Sequence, residues 1–219
     1  MTDFTFAPAR AALINVDMQN CFVEGTPLAS PDGLVLTDRI NRLAEVCRDA
    51  GMLVVHTRGW MRPDGSNLGV MGEIVPPFLV DLYTEGADAA ELHSSLVVDD
   101  RDVILNKPRY GGFSGTDLEM VLRSRGVDTV IISGIATNVC CDTTAREAAQ
   151  RDFRVFFLSD GTATKEMAGV PADELQRATC ASLAMVFAQV ITVDEMIAKI
   201  RMAGADESIR PQGIPAAVS

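Results

Sequence analysis

Six runs of mostly apolar residues recur along the chain: ALINVD (12–17), MLVVHT (52–57), DVILNK (102–107), DTVIISG (128–134), RVFFLSD (154–160) and QVITVD (189–194). A strand with one wet face alternates apolar and polar residues, whereas runs this continuous are what a parallel strand covered on both faces requires. Between them, apolar positions recur at helical spacing. LTDRINRLAEVCRDAG ends on Gly51, which suits a helix C-cap. TDLEMVLRSRG opens on Thr116, has Glu119 three places on in a capping-box pattern, and closes at Gly126. PADELQRATCASLAMVF puts Pro171 where a first helical turn tolerates it. Strand–helix alternation over the whole chain predicts an α/β fold of three layers, α/β/α, around a doubly wound sheet of about six mainly parallel strands.

Residues 60–100, with MRPDGSNLG and YTEGADAAE, have no such period and read as loops that cover or flank a site. No repeat, low-complexity tract or linker breaks the pattern. Residues 1–219 are therefore expected to form one domain with its core over about residues 10–195. The tail from Ala203 is rich in Gly, Pro and Ala and reads as frayed or as reaching a neighbour.

Composition narrows the classes. With 219 residues, 47% of them hydrophobic, the chain is long enough to bury a large core without cross-links. Nineteen basic residues against 30 acidic ones give a net charge of −11, which argues against a nucleic-acid partner. The N-terminus lacks a basic-then-apolar leader pattern and no apolar run approaches membrane-spanning length, so the expected location is cytoplasmic, with no membrane partner. Five cysteines include one adjacent pair, Cys140 and Cys141, and no CxxC or Cys/His spacing, so neither a disulfide framework nor zinc is expected.

In open α/β sheets ligands bind beyond the carboxyl ends of the strands. Asp17 ends the first strand run, Lys107 ends the third, and the fourth runs into GIATNVCCDTTAREA. No GxGxxG follows the first strand and there is no phosphate-binding loop, so no cofactor is expected. Taken singly, each residue has a plain reading: Asp17 as a turn or cap residue, Lys107 as a solvated lysine, the cysteines as core. Together they define a nucleophile with its helpers. A helix N-terminus and a nearby ammonium favour the thiolate, and a carboxylate accepts the proton. Asn138 is a plausible cap for that helix. The chain's histidines, His56 and His93, fit core or surface roles better than catalysis. A redox role for the vicinal thiols is the rival reading, set against it the preference of redox folds for CxxC and the strain of a disulfide between neighbours.

The stretches VDMQNCF, KPRYGGF with TDLEMVLRSRGVDTV, and GIATNVCCDTTAREA resemble the cysteine hydrolases of the isochorismatase-like superfamily, over roughly residues 10–195. KPRY, LRSRG and GIATNVC look most like its ureide-cleaving branch, the ureidoacrylate amidohydrolases and biuret hydrolases. The resemblance implies a cysteine amidohydrolase of small ureides, carbamoyl compounds or amides, usually a dimer or tetramer. Nicotinamidase-like or N-carbamoyl amidase activity is the alternative. Position by position, it makes Asp17 the general base, Lys107 the catalytic lysine and Cys140 the nucleophile. It also implies a cis peptide between Ile135 and Ala136, with the N–H groups of Ala136 and Cys140 as the oxyanion hole. Asn20 and Thr137 would orient the substrate, and Phe22, Trp60, Tyr110 and Phe113 would wall the pocket. Isochorismatases proper lack this cysteine. Nicotinamidases carry Asp-Trp-His and further metal ligands where this chain reads HTRGWMRPDG, so no metal is expected. Arg58 stands where ureidoacrylate enzymes have an amide residue, and reads equally as a clamp for a substrate carboxylate or as a surface ion pair. Adjacent helix residues point about 100° apart, so Cys140 is expected to face Asp17 and Lys107 while Cys141 packs as a small hydrophobe.

Overall fold

The computed structural model of the protein describes residues 3–209. Its strands are β1 (Ala11–Val16), β2 (Leu53–Gly59), β3 (Val103–Lys107), β4 (Thr129–Ile135), β5 (Arg154–Ala163) and β6 (Gln189–Ile191). They form one parallel sheet in the order β3-β2-β1-β4-β5-β6. Every residue of β1 and of β4 is buried, which is why these central runs carry no polar alternation. The helices are α1 (Asn20–Val23), α2 (Gly33–Asp49), α3 (Met71–Ile74), α4 (Pro77–Val80), α5 (Leu118–Ser124), α6 (Asp142–Ala149), α7 (Ala172–Val186) and α8 (Val193–Ile209).

Two apolar cores divide the helices into layers. One face of the sheet packs Ile14, Val55, Ile132 and Phe157 against Leu118 and Leu122 of α5, Ala145 and Ala148 of α6, and Leu183 of α7. The other packs Leu13, Val54, Ile131 and Phe156 against Leu43 and Cys47 of α2 and Met196, Ile197 and Ile200 of α8. This is the expected three-layer α/β/α arrangement.

Element ends are where the expectations need correction. The capping box read at Thr116 and Glu119 does not form. Asp117 precedes α5, Thr116 Oγ1 accepts from Leu118 N–H at 3.2 Å, and Glu119 pairs with Arg123 and Arg151 instead. A capping box forms at Thr192, inside what reads as the end of the sixth strand. Thr192 N–H donates to Glu195 Oε2 at 2.7 Å, and Glu195 N–H returns a bond to Thr192 Oγ1 at 3.2 Å. That signal starts α8 and cuts β6 short. The tail expected from Ala203 is helical through Ile209, and its remainder lies outside the described residues. Gly51 does terminate α2 with a φ of +72°.

The chain steps outward from β1 to β2 and β3, returns through α5 to β4 on the other side of β1, then steps outward again. The β1/β4 junction is thus the topological switch point, where such sheets open a crevice. Gly134 closes the two strands tightly there. Its φ is +120°, and a Cβ on it would lie 2.0 Å from Val16 O.

Candidate active site

Asp17 follows β1 at the switch point with a φ of +53°, a left-handed conformation that aspartate tolerates better than most residues. Its N–H donates to Thr57 O at 3.1 Å, and Thr57 Oγ1 donates to Asp17 Oδ1 at 2.8 Å, so the end of β2 fixes the carboxylate. Lys107, the last residue of β3, reaches the other oxygen: Nζ to Asp17 Oδ2 is 2.7 Å. The same ammonium donates to the carbonyls of Arg109 and Tyr110, each at 3.0 Å, which satisfies all three of its hydrogens. Both side chains are buried.

Past β4 the Ile135–Ala136 peptide is cis, and residues Thr137–Cys141 form a π-helical turn before α6 begins. Cys141 N–H donates to Ala136 O at 3.1 Å. Single π turns recur at functional sites. Here the wide turn sends the two sulfurs different ways. Cys140 lines a cavity of about 410 Å³ that Asp17, Lys107 and Ala136 also line, while Cys141 Sγ lies 3.9 Å from Ser133 O inside the core. Asn138 does not cap the turn; its amide accepts from Thr164 Oγ1 at 2.6 Å and faces Met167 Sδ.

The charges set the resting protonation. Burial pushes the Cys140 thiol up to about 12; the Lys107 ammonium pulls it down and the Asp17 carboxylate adds to the rise. Burial thus works toward the neutral thiol in the free site, against the thiolate that a helix N-terminus alone suggests. Burial opposes charge on Lys107 as well, but Asp17 and Cys140 beside it outweigh that and keep the ammonium above its usual range.

Of the residues expected to meet substrate, Phe22 and Tyr110 line the cavity. Asn20, Arg58, Trp60, Phe113 and Thr137 do not. Side chains alternate along β2, so Thr57 and Gly59 turn to the site while Arg58 and Trp60 turn away. Arg58 pairs with Glu91 at 2.5 Å, donates from Nε to Asn106 Oδ1 at 2.9 Å, and lies 4.2 Å above the Trp60 ring. Asn20 Nδ2 donates to Asp88 O at 2.7 Å. Phe113 packs against Phe153 in the core, with ring centroids 5.8 Å apart and the rings tilted by 40°. Thr137 donates its hydroxyl to Gln176 Oε1.

Sequence reasoning missed the rest of the wall. Met61, Met71, Val75 and Tyr83 come from the irregular stretch after β2, and Met167 from the loop before α7. Met61, Met71 and Tyr83 belong to a small apolar cluster of their own with Cys21 and Val80. Their one signal in the sequence is that residues 68–83, LGVMGEIVPPFLVDLY, are mostly apolar although they lack a strand or helix period. Arg109, Lys165 and Glu166 add charged groups to the lining.

Neither histidine enters the cavity. His56 lies in a buried polar ladder across the sheet: Ser133 Oγ donates to Asn15 Oδ1 at 2.6 Å, Asn15 Nδ2 lies 3.3 Å from His56 Nδ1, and His56 Nε2 lies 3.0 Å from Asp102, which Arg48 also binds. His93 bonds Ser95 and Glu24. Among the described residues no cluster of three His, Cys, Asp or Glu side chains is placed to hold a metal ion, and no helix is long and apolar enough to cross a membrane.

Gln176 is a second omission. From α7 it accepts from Thr137 and donates to Ser159 O at 2.7 Å and Thr162 Oγ1 at 2.9 Å, tying the π turn to β5. A hydrogen bond of this kind contributes about 1 kcal/mol. Gln176→Ala is expected to lower kcat about fivefold to tenfold with KM nearly unchanged, because the turn that aims Cys140 loosens while the cavity wall stays. Steady-state kinetics with a thermal melt tests this; an unchanged kcat would remove any positioning role.

The isochorismatase domain family matches residues 11–195. The chain belongs to the isochorismatase family and is a hydrolase of that family. It is 34% identical over 188 residues to nicotinamidase 3 of Arabidopsis thaliana, covering 85% of this chain and 86% of that one. To ureidoacrylate amidohydrolase RutB of Klebsiella variicola (strain At-22) it is 32% identical over 177 residues, 72% of this chain and 75% of the relative. Its fold overlays that of a cysteine hydrolase from Pseudomonas syringae pv. phaseolicola 1448A with a TM-score of 0.88 at 35% identity, over 92% of this chain and 97% of that one.

Proposed function

We propose that the protein is a cysteine amidohydrolase that cleaves the C–N bond of a small ureide, carbamoyl compound or amide through a thioester-type intermediate. The observation that carries this reading is the buried Asp17–Lys107 pair, 2.7 Å apart, sharing one cavity with the Cys140 thiol. Asp17 takes the thiol proton as Cys140 Sγ attacks the carbonyl carbon, and Lys107 holds the developing charges in place. The N–H groups of Ala136 and Cys140 receive the oxyanion. As the C–N bond breaks, Asp17 returns the proton to the departing nitrogen, and ammonia or an amine leaves. Water then gives a proton to Asp17 and attacks the acyl carbon; the C–S bond breaks and the thiol is reprotonated. The relatives' names support the C–N bond as the target, and the cavity's donor set supplies no step that calls for a metal.

An ammonia-release screen over ureidoacrylate, biuret, N-carbamoyl amino acids, maleamate, nicotinamide and simple aliphatic amides tests the reading. Turnover of at least one of them is expected, unchanged after dialysis against a strong chelator. Nicotinamide as the best substrate by a wide margin would rule out the ureide and carbamoyl forms of this reading, and loss of turnover restored by zinc would overturn metal independence.

A further inference from the structure

We infer that the cavity is built for a hydrophobic substrate: a primary amide or monosubstituted urea whose remaining body is apolar and uncharged, in place of an anionic ureide. This rests on the hydrolase reading above and narrows it.

The argument starts from what surrounds the Cys140 thiol. Phe22, Met61, Met71, Val75, Tyr83 and Met167 line the cavity. Phe22 and Tyr83 stack, with centroids 6.0 Å apart, and form a flat aromatic wall. The three methionines add unbranched, polarisable chains that adapt to a ligand's shape. A carboxylate set among them would lose its hydration with no partner to replace it.

Four cations bear on whether such a partner exists. Lys107 is neutralised by Asp17 at 2.7 Å and is committed to the reacting atoms. Arg58, the residue best placed in the sequence to clamp a carboxylate, turns away and pairs with Glu91. Arg109 is exposed, and its Nη1 donates to the carbonyls of Asn67 and Pro108. Lys165 donates to Pro27 O, with the exposed Glu166 next to it. Water screens the charge of exposed Arg109, and half-buried Lys165 has Glu166 as its neighbour; each already donates to backbone carbonyl oxygen. The remaining gain is apolar burial, and a cavity of about 410 Å³ is large enough for a body of phenyl or hexyl size beside the reacting carbonyl.

The test does not depend on turnover. The whole enzyme is treated with chloroacetamides bearing N-methyl, N-butyl or N-phenethyl groups and with N-chloroacetylglycine, and the alkylation rate of Cys140 is followed by peptide mapping. The rate is expected to rise about fourfold per methylene that enters the cavity, with the glycine derivative at least about tenfold slower than the N-butyl reagent. In parallel, hexanamide and phenethylurea are compared as substrates with ureidoacrylate, which separates the amide from the urea form. Anionic and apolar reagents reacting at equal rates, or ureidoacrylate cleaved while both apolar compounds are not, would overturn the inference. Apolar-selective labelling of Cys140 with no amide or urea hydrolysed would uphold the cavity's preference and overturn the hydrolase reading instead.

Discussion

Cys140→Ala is expected to lower kcat by about 10⁴-fold or more, while Cys141→Ala keeps turnover within about threefold of the parent. The two residues are neighbours with different surroundings: Cys140 lines the cavity with Asp17 and Lys107, whereas Cys141 lies in the core against Ser133 O. Replacing Cys141 deletes one buried sulfur, which costs about 1 kcal/mol of packing and a few degrees of melting temperature. Iodoacetamide should label Cys140 first, and substrate should protect it. Because burial places that thiol at about 12, the labelling rate of the free enzyme should climb about tenfold per pH unit from pH 6 to 9 without a plateau. A plateau near pH 7 would mean a standing thiolate. A dead Cys141→Ala variant would move the site's register by one residue.

The second large effect concerns the ion pair beneath the thiol. Lys107→Met leaves the Asp17 carboxylate buried without its counter-charge, a defect worth about 3–5 kcal/mol, so the melting temperature should fall by about 10 °C. Turnover should vanish with it. The double variant Asp17→Asn, Lys107→Met has no orphaned charge and is expected to recover most of that stability while remaining inactive. Denaturant unfolding and kcat measured on the parent and these two variants separate the two roles. Lys107→Met that stayed active and within about 1 kcal/mol of the parent would remove the pair from both the chemistry and the fold.

The strands were legible because a doubly buried strand must be apolar throughout, and the carboxyl ends of β1, β3 and β4 were legible as places where ligands gather. Asp17, Lys107 and Cys140 could therefore be brought together on paper. Two kinds of information stayed hidden. The fifth apolar run ends at Asp160, yet β5 continues to Ala163 because Thr162 and Ala163 pair with Gly134 and Ile135 beyond an irregularity in the ladder. The cavity wall depends on side-chain direction and on loops without period. Arg58 and Trp60 lie on the wrong parity of β2, and Met71 and Tyr83 reach the site from short helical turns that no repeat in the sequence announces.

That wall has a history of its own to offer. The residues that define the cavity's shape between Met61 and Tyr83 pack in a cluster apart from the two that hold the sheet, and the reacting groups sit on strand ends elsewhere. Much of the apolar wall is therefore supplied by one connecting segment, apart from the strand ends that carry the chemistry. Substitutions between Met61 and Tyr83 are expected to shift substrate preference more than they lower kcat, because that segment shapes the cavity without carrying a reacting group.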